Sequence, residues 1–148
     1  MKGLTPMSLM IENPNAKIKR PVSGANPRVL YEHQIEAMKA LDNINRKPEF
    51  KTMLVLPTGG GKTLTAVYWL LKNAVDKDTK VLWIAHRHLL LTQAAEAFWN
   101  NAYTDNMMIN NTEFLTRVIS GEHDKPVHIM QGDNILISSK DSLVLCKP

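Results

Sequence analysis

The groups best suited to chemistry in this chain lie in one short stretch near its middle. In order, its residues are Pro57, Thr58, Gly59, Gly60, Gly61, Lys62 and Thr63. Three consecutive glycines let the backbone turn sharply with no Cβ in the way, so their N–H groups can converge on one point. A helix that begins there presents its positive end to the same point. An anionic phosphate would satisfy the N–H groups that a helix start leaves unpaired.

The sequence on either side supports this interpretation. An apolar run at 52–56 precedes the glycines and indicates a strand buried on both faces, and a long apolar segment at 64–75 indicates a helix. Strand, glycine turn and helix is the context that a phosphate-binding loop needs. Lys62 would reach the β- and γ-phosphates of a nucleotide, and Thr63 would offer its hydroxyl to Mg²⁺. The alternative is an ordinary glycine-rich turn with an incidental lysine.

Apolar patterning places this loop within alternating strands and helices. Apolar residues recur at three-residue steps after Tyr31, which predicts a helix that ends before Pro48. Further elements are predicted as strands at 81–85, 116–121 and 135–137 and as a helix at 89–99. Strands separated by helices are typical of βαβ units, so the predicted fold class is α/β with a mainly parallel sheet.

Charge and composition divide the chain into two parts. Its 148 residues suffice for one domain, and its net charge is +4. Residues 1–27 contain four prolines, little periodicity and an excess of basic residues, whereas the remaining chain is almost neutral. We therefore predict an extended N-terminal arm at 1–27 and a folded body at 28–148. The arm would either attract polyanions in a salt-sensitive way or act only as a solvated tail.

The single cysteine, Cys146, excludes an internal disulfide and suits a reducing cytoplasm. No stretch approaches the roughly 18 apolar residues of a membrane span, and the N-terminus lacks the apolar core of a secretory signal. The sequence thus predicts a cytoplasmic protein that has no membrane partner.

The loop and the helix before it resemble superfamily 2 helicases. The order Pro-Thr-Gly-x-Gly-Lys-Thr is the variant of the Walker A motif found in that superfamily, with Leu56 where the general pattern has Gly. These helicases often place a glutamine about 20 residues upstream that hydrogen-bonds the adenine edge. Gln34 holds that position here. Tyr31 is the better candidate for stacking on the base and Arg28 the weaker one, although the usual Arg-x-Tyr-Gln order is not kept.

Two strand ends resemble nucleic-acid-contacting elements of the same superfamily. After the strand at 81–85, the resemblance implies phosphate contacts for Arg87, and for His86 with Gln93, although a leucine replaces the usual glutamate two residues after the arginine. After the strand at 135–137, Ser139 stands where a threonine contacts a nucleic-acid phosphate. The alternatives are a capping or surface role for His86 and His88 and a plain helix N-cap formed by Ser138, Ser139 or Asp141. A zinc site at His86 and His88 lacks completing ligands.

In order and spacing, these elements are similar to the N-terminal part of the first RecA-like domain of a helicase in the branch of type I and type III restriction-enzyme subunits. The resemblance implies a P-loop three-layer sandwich, incomplete at its C-terminal side, that binds ATP, Mg²⁺ and nucleic acid, with DNA favoured. It further implies association with the remainder of a helicase polypeptide or complex, in which closure of two domains on ATP moves the enzyme along a strand.

The family's Asp-Glu strand and second domain have no counterpart here. We therefore expect the chain by itself to bind nucleotide and hydrolyse it poorly, whereas the parent protein would be an ATP hydrolase. Two alternatives remain open from the sequence: a stand-alone nucleotide-binding regulatory module without motor activity, and a P-loop ATPase that is not a helicase.

Overall fold

A four-stranded, mostly parallel sheet forms the centre of the protein. The computed structural model describes residues 16–121 and 125–144. The strands are β1 (Ala16–Lys19), β2 (Val81–Ala85), β3 (Phe114–Ile119) and β4 (Ile135–Ser139). Their spatial order is β1-β3-β4-β2, in which β3, β4 and β2 are parallel and β1 is antiparallel to β3. The predicted α/β class with a mainly parallel sheet is therefore confirmed.

In the described residues, four α-helices accompany the sheet: α1 (Glu32–Ile44), α2 (Lys62–Asn73), α3 (His88–Asn101) and α4 (Lys140–Val144). The predictions of a helix after Tyr31, a helix after the glycines and a helix after β2 are confirmed within a few residues. Short 3₁₀ helices occur at Val75–Lys77 and Pro126–His128. None of the helices in the described part of the chain is long and apolar enough to cross a membrane.

The core lies between one face of the sheet and helices α2 and α3. Val67 and Leu71 of α2 and Phe98 of α3 are completely buried in a cluster that also contains Ile135 and Ile137 of β4. Because side chains alternate along a strand, every second residue of β2 points to the face of the sheet opposite the core. There, Leu82 and Ile84 are each 54% exposed. β2 is therefore covered on its core face and largely exposed on the opposite face.

A buried ion pair holds the loop before β4 against the sheet. Arg117 of β3 is fully buried and meets Asp133 through two contacts, Nε to Oδ2 at 2.7 Å and Nη2 to Oδ1 at 3.1 Å. Asp133 Oδ2 also accepts a hydrogen bond from the backbone N–H of Met130 at 2.8 Å. Lys80 donates to the Asp133 carbonyl at 2.8 Å and to the carbonyl of Gln131. Such pairing satisfies charges that would otherwise be costly to bury.

The segment at 52–56 corrects the sequence interpretation, which predicted the first core strand there. It has no strand assignment, and Met53 and Val55 are 83% and 75% exposed. A strand needs a neighbour to satisfy its N–H and C=O groups, and no strand in the described residues pairs with this segment. Only Leu56, directly before the glycine loop, is buried.

The N-terminal arm also departs from the sequence prediction. Ala16–Lys19 form β1 and pair with Phe114–Arg117 of β3, so this part of the arm belongs to the sheet edge. Further along the arm, Val22 forms an isolated parallel β-bridge with Tyr103. The four residues of β1 include two lysines and only one large apolar side chain, Ile18, which is why the sequence did not reveal the strand. Residues 1–15 and Cys146 lie outside the described residues.

Candidate functional site

The glycine loop turns directly into helix α2. Gly59 and Gly61 both have φ of +75°, a left-handed conformation that only glycine adopts without strain. Gly61 is the residue that precedes the first turn of α2, and the backbone N–H of Gly60 donates to the Pro57 carbonyl at 2.9 Å. The loop therefore brings its backbone to the positive end of a 12-residue helix, the arrangement that favours an anion.

Lys62 and Thr63 open this helix with exposed side chains. The Lys62 ammonium donates to the Pro57 carbonyl at 2.9 Å, so Pro57 receives both this side chain and the Gly60 N–H. A phosphate oxygen could replace the Pro57 carbonyl as the acceptor for Lys62 because the lysine side chain is exposed and flexible. Thr63 borders a cavity of about 270 Å³ beside the end of β2.

Helix α1 supports the loop from the side. Gln34 of α1 is 2% exposed and donates from Nε2 to the Gly60 carbonyl at 3.1 Å, while its Oε1 accepts from the Tyr31 N–H at 2.9 Å. His33 Nε2 lies 3.0 Å from the same Gly60 oxygen. Because a carbonyl can only accept, His33 must carry a proton on Nε2 in this contact. Two side chains of α1 thus converge on one loop carbonyl.

The aromatic side chain next to this contact is exposed. Tyr31 is 70% exposed, and its ring stacks on the His33 ring with centroids 5.7 Å apart and an angle of 9° between the planes. Gln34 keeps one N–H and one oxygen lone pair beyond its two observed bonds. Adenine contact by Gln34 and stacking by Tyr31 stay predictions. Arg28 is exposed before α1 and carries only the weaker prediction.

The end of β2 faces the glycine loop across a shared cavity. Thr63 lines this cavity together with Trp83, His86 and Gln93, so the loop and the strand end lie beside one another. Arg87 and His86 are both exposed, and Arg87 directly precedes the first turn of α3. In the described residues, no three histidine, cysteine or acidic side chains converge as metal ligands would.

The parallel register brings Ser139 to the same edge of the sheet. Ala85 of β2 pairs with Ser139 of β4, so the residues that follow both strands leave the sheet side by side. Ser139 Oγ accepts from the Ser142 N–H at 3.2 Å and contacts Ser142 Oγ at 2.8 Å. The hydroxyl therefore acts as a cap for the first turn of α4. Its nucleic-acid contact stays a prediction.

Two groups with clear structural roles were missed by sequence reasoning. The sequence analysis assigns no role to His33, and its contact with Gly60 joins residues 27 positions apart. The pairing of Arg117 with Asp133 was also missed. A charged residue inside an otherwise apolar strand is the signal that could have revealed it, because buried arginine requires a partner.

Burial perturbs a titratable group of helix α2. The Tyr68 hydroxyl is buried with no hydrogen-bond partner among the described residues, and burial raises its pKa above the usual value of 10.0. The positive charge of Arg28 opposes this increase. Tyr68 packs in the core, so its shift reflects desolvation of a side chain that supports the helix.

The family model described as type III restriction enzyme, res subunit, matches residues 28–147, which is most of the chain. No curated protein and no solved structure matches the chain.

Proposed function

Because the chain belongs to the family of the type III restriction enzyme res subunit, a superfamily 2 helicase-like group, we propose that it is the ATP-binding portion of an ATP-dependent DNA helicase or translocase. The proposal includes a RecA-like organisation of the body at 28–148 and a cytoplasmic location. The observation that carries it is the glycine loop, whose two left-handed glycines deliver Lys62 and Thr63 to the start of α2.

Each residue of the loop has a role that its position supports. The N–H groups after Gly59 would bind the phosphates, with Pro57 and Thr58 shaping the turn before them. Lys62 would exchange the Pro57 carbonyl for the β- and γ-phosphates. The exposed Thr63 hydroxyl would complete the coordination of Mg²⁺, which neutralises phosphate charge when bound.

The base would lie on the α1 side of the loop. Gln34 would use its remaining N–H and lone pair on the adenine edge, and the exposed Tyr31 ring offers a stacking surface. Nucleic acid would contact the carboxyl edge of the sheet, where Arg87, His86 and Ser139 leave adjacent strands. Ligands of open α/β sheets bind at this edge, because strand ends and helix starts meet there.

A calorimetric titration with ATP, with and without Mg²⁺, tests the nucleotide site. We expect Lys62→Ala to weaken binding about 10- to 150-fold, the value of a hydrogen bond to a charged group of about 1.5–3 kcal/mol. Lys72→Ala is the matched control, because it removes an exposed lysine from the last turn of the same helix. Equal affinity of wild type and Lys62→Ala would contradict the proposed role of the loop.

Binding of single-stranded DNA distinguishes the motor lineage from a nucleotide-binding module without motor activity. We expect Arg87→Ala to weaken this binding and to lower its salt dependence by about one phosphate contact. Arg46→Ala, an exposed arginine after α1, should have little effect. Nucleotide binding without any DNA binding would favour the regulatory module. If Arg87→Ala bound DNA as tightly as wild type, the proposed contact of Arg87 with DNA would be wrong.

A further inference from the structure

We propose that His33 is a positioning residue for phosphate binding, acting through the carbonyl of Gly60. This inference rests on the proposed nucleotide-binding function and assigns a role to a side chain for which the sequence suggested none. The contact that carries it is the 3.0 Å distance between His33 Nε2 and the Gly60 oxygen.

The geometry of the peptide links this contact to the phosphate site. The peptide between Gly60 and Gly61 is trans, so its C=O and its N–H point in opposite directions. When His33 holds the Gly60 carbonyl towards α1, the Gly61 N–H points away from α1. This N–H is one of the donors that a phosphate at the start of α2 would use.

Two side-chain donors, from His33 and Gln34, fix the orientation of this peptide. A carbonyl oxygen has two lone pairs, and Gln34 Nε2 occupies the second at 3.1 Å. Glycine has few steric restrictions, so without such contacts the peptide between Gly60 and Gly61 would sample several orientations. Gln34 is also the residue predicted to contact adenine, whereas the hydrogen bond of His33 is with the Gly60 carbonyl of the loop.

Packing keeps the imidazole ring in position. Tyr31 stacks against it with nearly parallel planes, and the side chain is half-buried on α1. Helix α1 is itself attached to α2, because Trp69 Nε1 donates to Asp42 Oδ1 at 2.8 Å. The His33 donor is therefore held at a fixed place relative to the loop, which is what a positioning residue requires.

Two substitutions separate the hydrogen bond from the stacking. His33→Phe retains a ring for stacking on Tyr31 and removes the donor, whereas His33→Gln retains an N–H donor at similar reach and removes the ring. Calorimetric titration with inorganic tripolyphosphate and with ATP, both with Mg²⁺, measures binding. Glu36→Gln, an exposed change on the same helix, is the control.

We expect His33→Phe to weaken binding of tripolyphosphate and of ATP by the same factor, about three- to tenfold, the usual contribution of one hydrogen bond. His33→Gln should bind within about twofold of wild type by the same measure. Wild-type affinity in His33→Phe, or equal loss in both variants, would overturn the proposal.

A measurement without ligand makes the proposal independent of nucleotide binding. The carbonyl ¹³C resonance of Gly60 should move in His33→Phe and stay near its wild-type position in His33→Gln. If wild type bound neither ligand, the proposed function would fail, and an unchanged Gly60 resonance in His33→Phe would separately overturn the positioning role.

Discussion

Gly61 of the glycine loop lies against Gln34 of α1, so replacement of this glycine by alanine should be unusually costly. A Cβ added to Gly61 would overlap Gln34 Nε2, so the Gln34 side chain would have to move. A Cβ added to Gly59 would meet nothing within 4 Å, although both glycines have φ of +75°. The two substitutions therefore share the same backbone strain and differ in this contact.

The expected loss in the free energy of unfolding follows from the backbone strain and from the hydrogen bonds of Gln34 that would be weakened. Placing alanine in the left-handed region costs about 1–2 kcal/mol at either glycine. At Gly61, the buried Gln34 amide must also move, which weakens its bonds to Gly60 and Tyr31 at about 0.5–1.5 kcal/mol each. We expect Gly61→Ala to lower the free energy of unfolding by about 2–5 kcal/mol and Gly59→Ala by about 1–2 kcal/mol.

Urea unfolding followed by circular dichroism measures both values, provided that the dependence on urea concentration is unchanged. A double-mutant cycle with Gln34→Ala isolates the contact. In the Gln34→Ala background, Gly61→Ala should cost only the backbone strain, so the coupling should be about 1–3 kcal/mol. Equal destabilisation by Gly59→Ala and Gly61→Ala would refute this reasoning.

Two further predictions concern buried polar groups. Asp133→Ala removes the carboxylate that the buried Arg117 guanidinium contacts at 2.7 Å and should lower the free energy of unfolding by about 3–5 kcal/mol in urea unfolding. Glu113→Ala, which removes a largely exposed ion pair with Arg20, should cost about 0–1 kcal/mol, and equal costs would contradict this prediction. Tyr68 has a raised pKa in the folded protein, so above pH 10 the unfolded state loses this proton first and stability falls as pH rises. Tyr68→Phe should lose less stability than wild type between about pH 9 and 11, and identical pH profiles would contradict the raised pKa.

Local patterns in the sequence were sufficient to predict most elements of the fold. The helices at Glu32–Ile44 and His88–Asn101 and the strand at Val81–Ala85 match the predicted elements closely. Their apolar residues recur with the period of the element, and this period depends only on neighbours in the chain. The chain order of strands and helices then indicated a mainly parallel sheet.

Elements that depend on distant neighbours were harder to predict. The apolar run at 52–56 has the composition of a strand, but a strand also requires a partner, and none in the described residues pairs with it. Ala16–Lys19 show the reverse case, because a short polar segment becomes a strand through pairing with β3. Composition alone does not indicate whether a segment will find a neighbouring strand with which to pair.

The candidate site divides in the same way. The phosphate-binding loop could be predicted from the order of its glycines, lysine and threonine, because its functional groups belong to consecutive residues. The contacts of His33 and Gln34 with Gly60 cross 27 and 26 positions of the chain and appear only once α1 packs on α2. Sequence reasoning assigned Gln34 to adenine, whereas the structure adds a bond from Gln34 to the loop itself.

The central claim is that backbone N–H groups at the start of α2 bind the phosphates of a nucleotide. Its most direct test is a backbone amide NMR titration of the wild-type chain with ATP and Mg²⁺. We predict the largest shifts at Gly61, Lys62 and Thr63, with the same residues responding to tripolyphosphate. Saturable ATP binding that leaves these three amides unmoved, or no binding at all, would contradict the account.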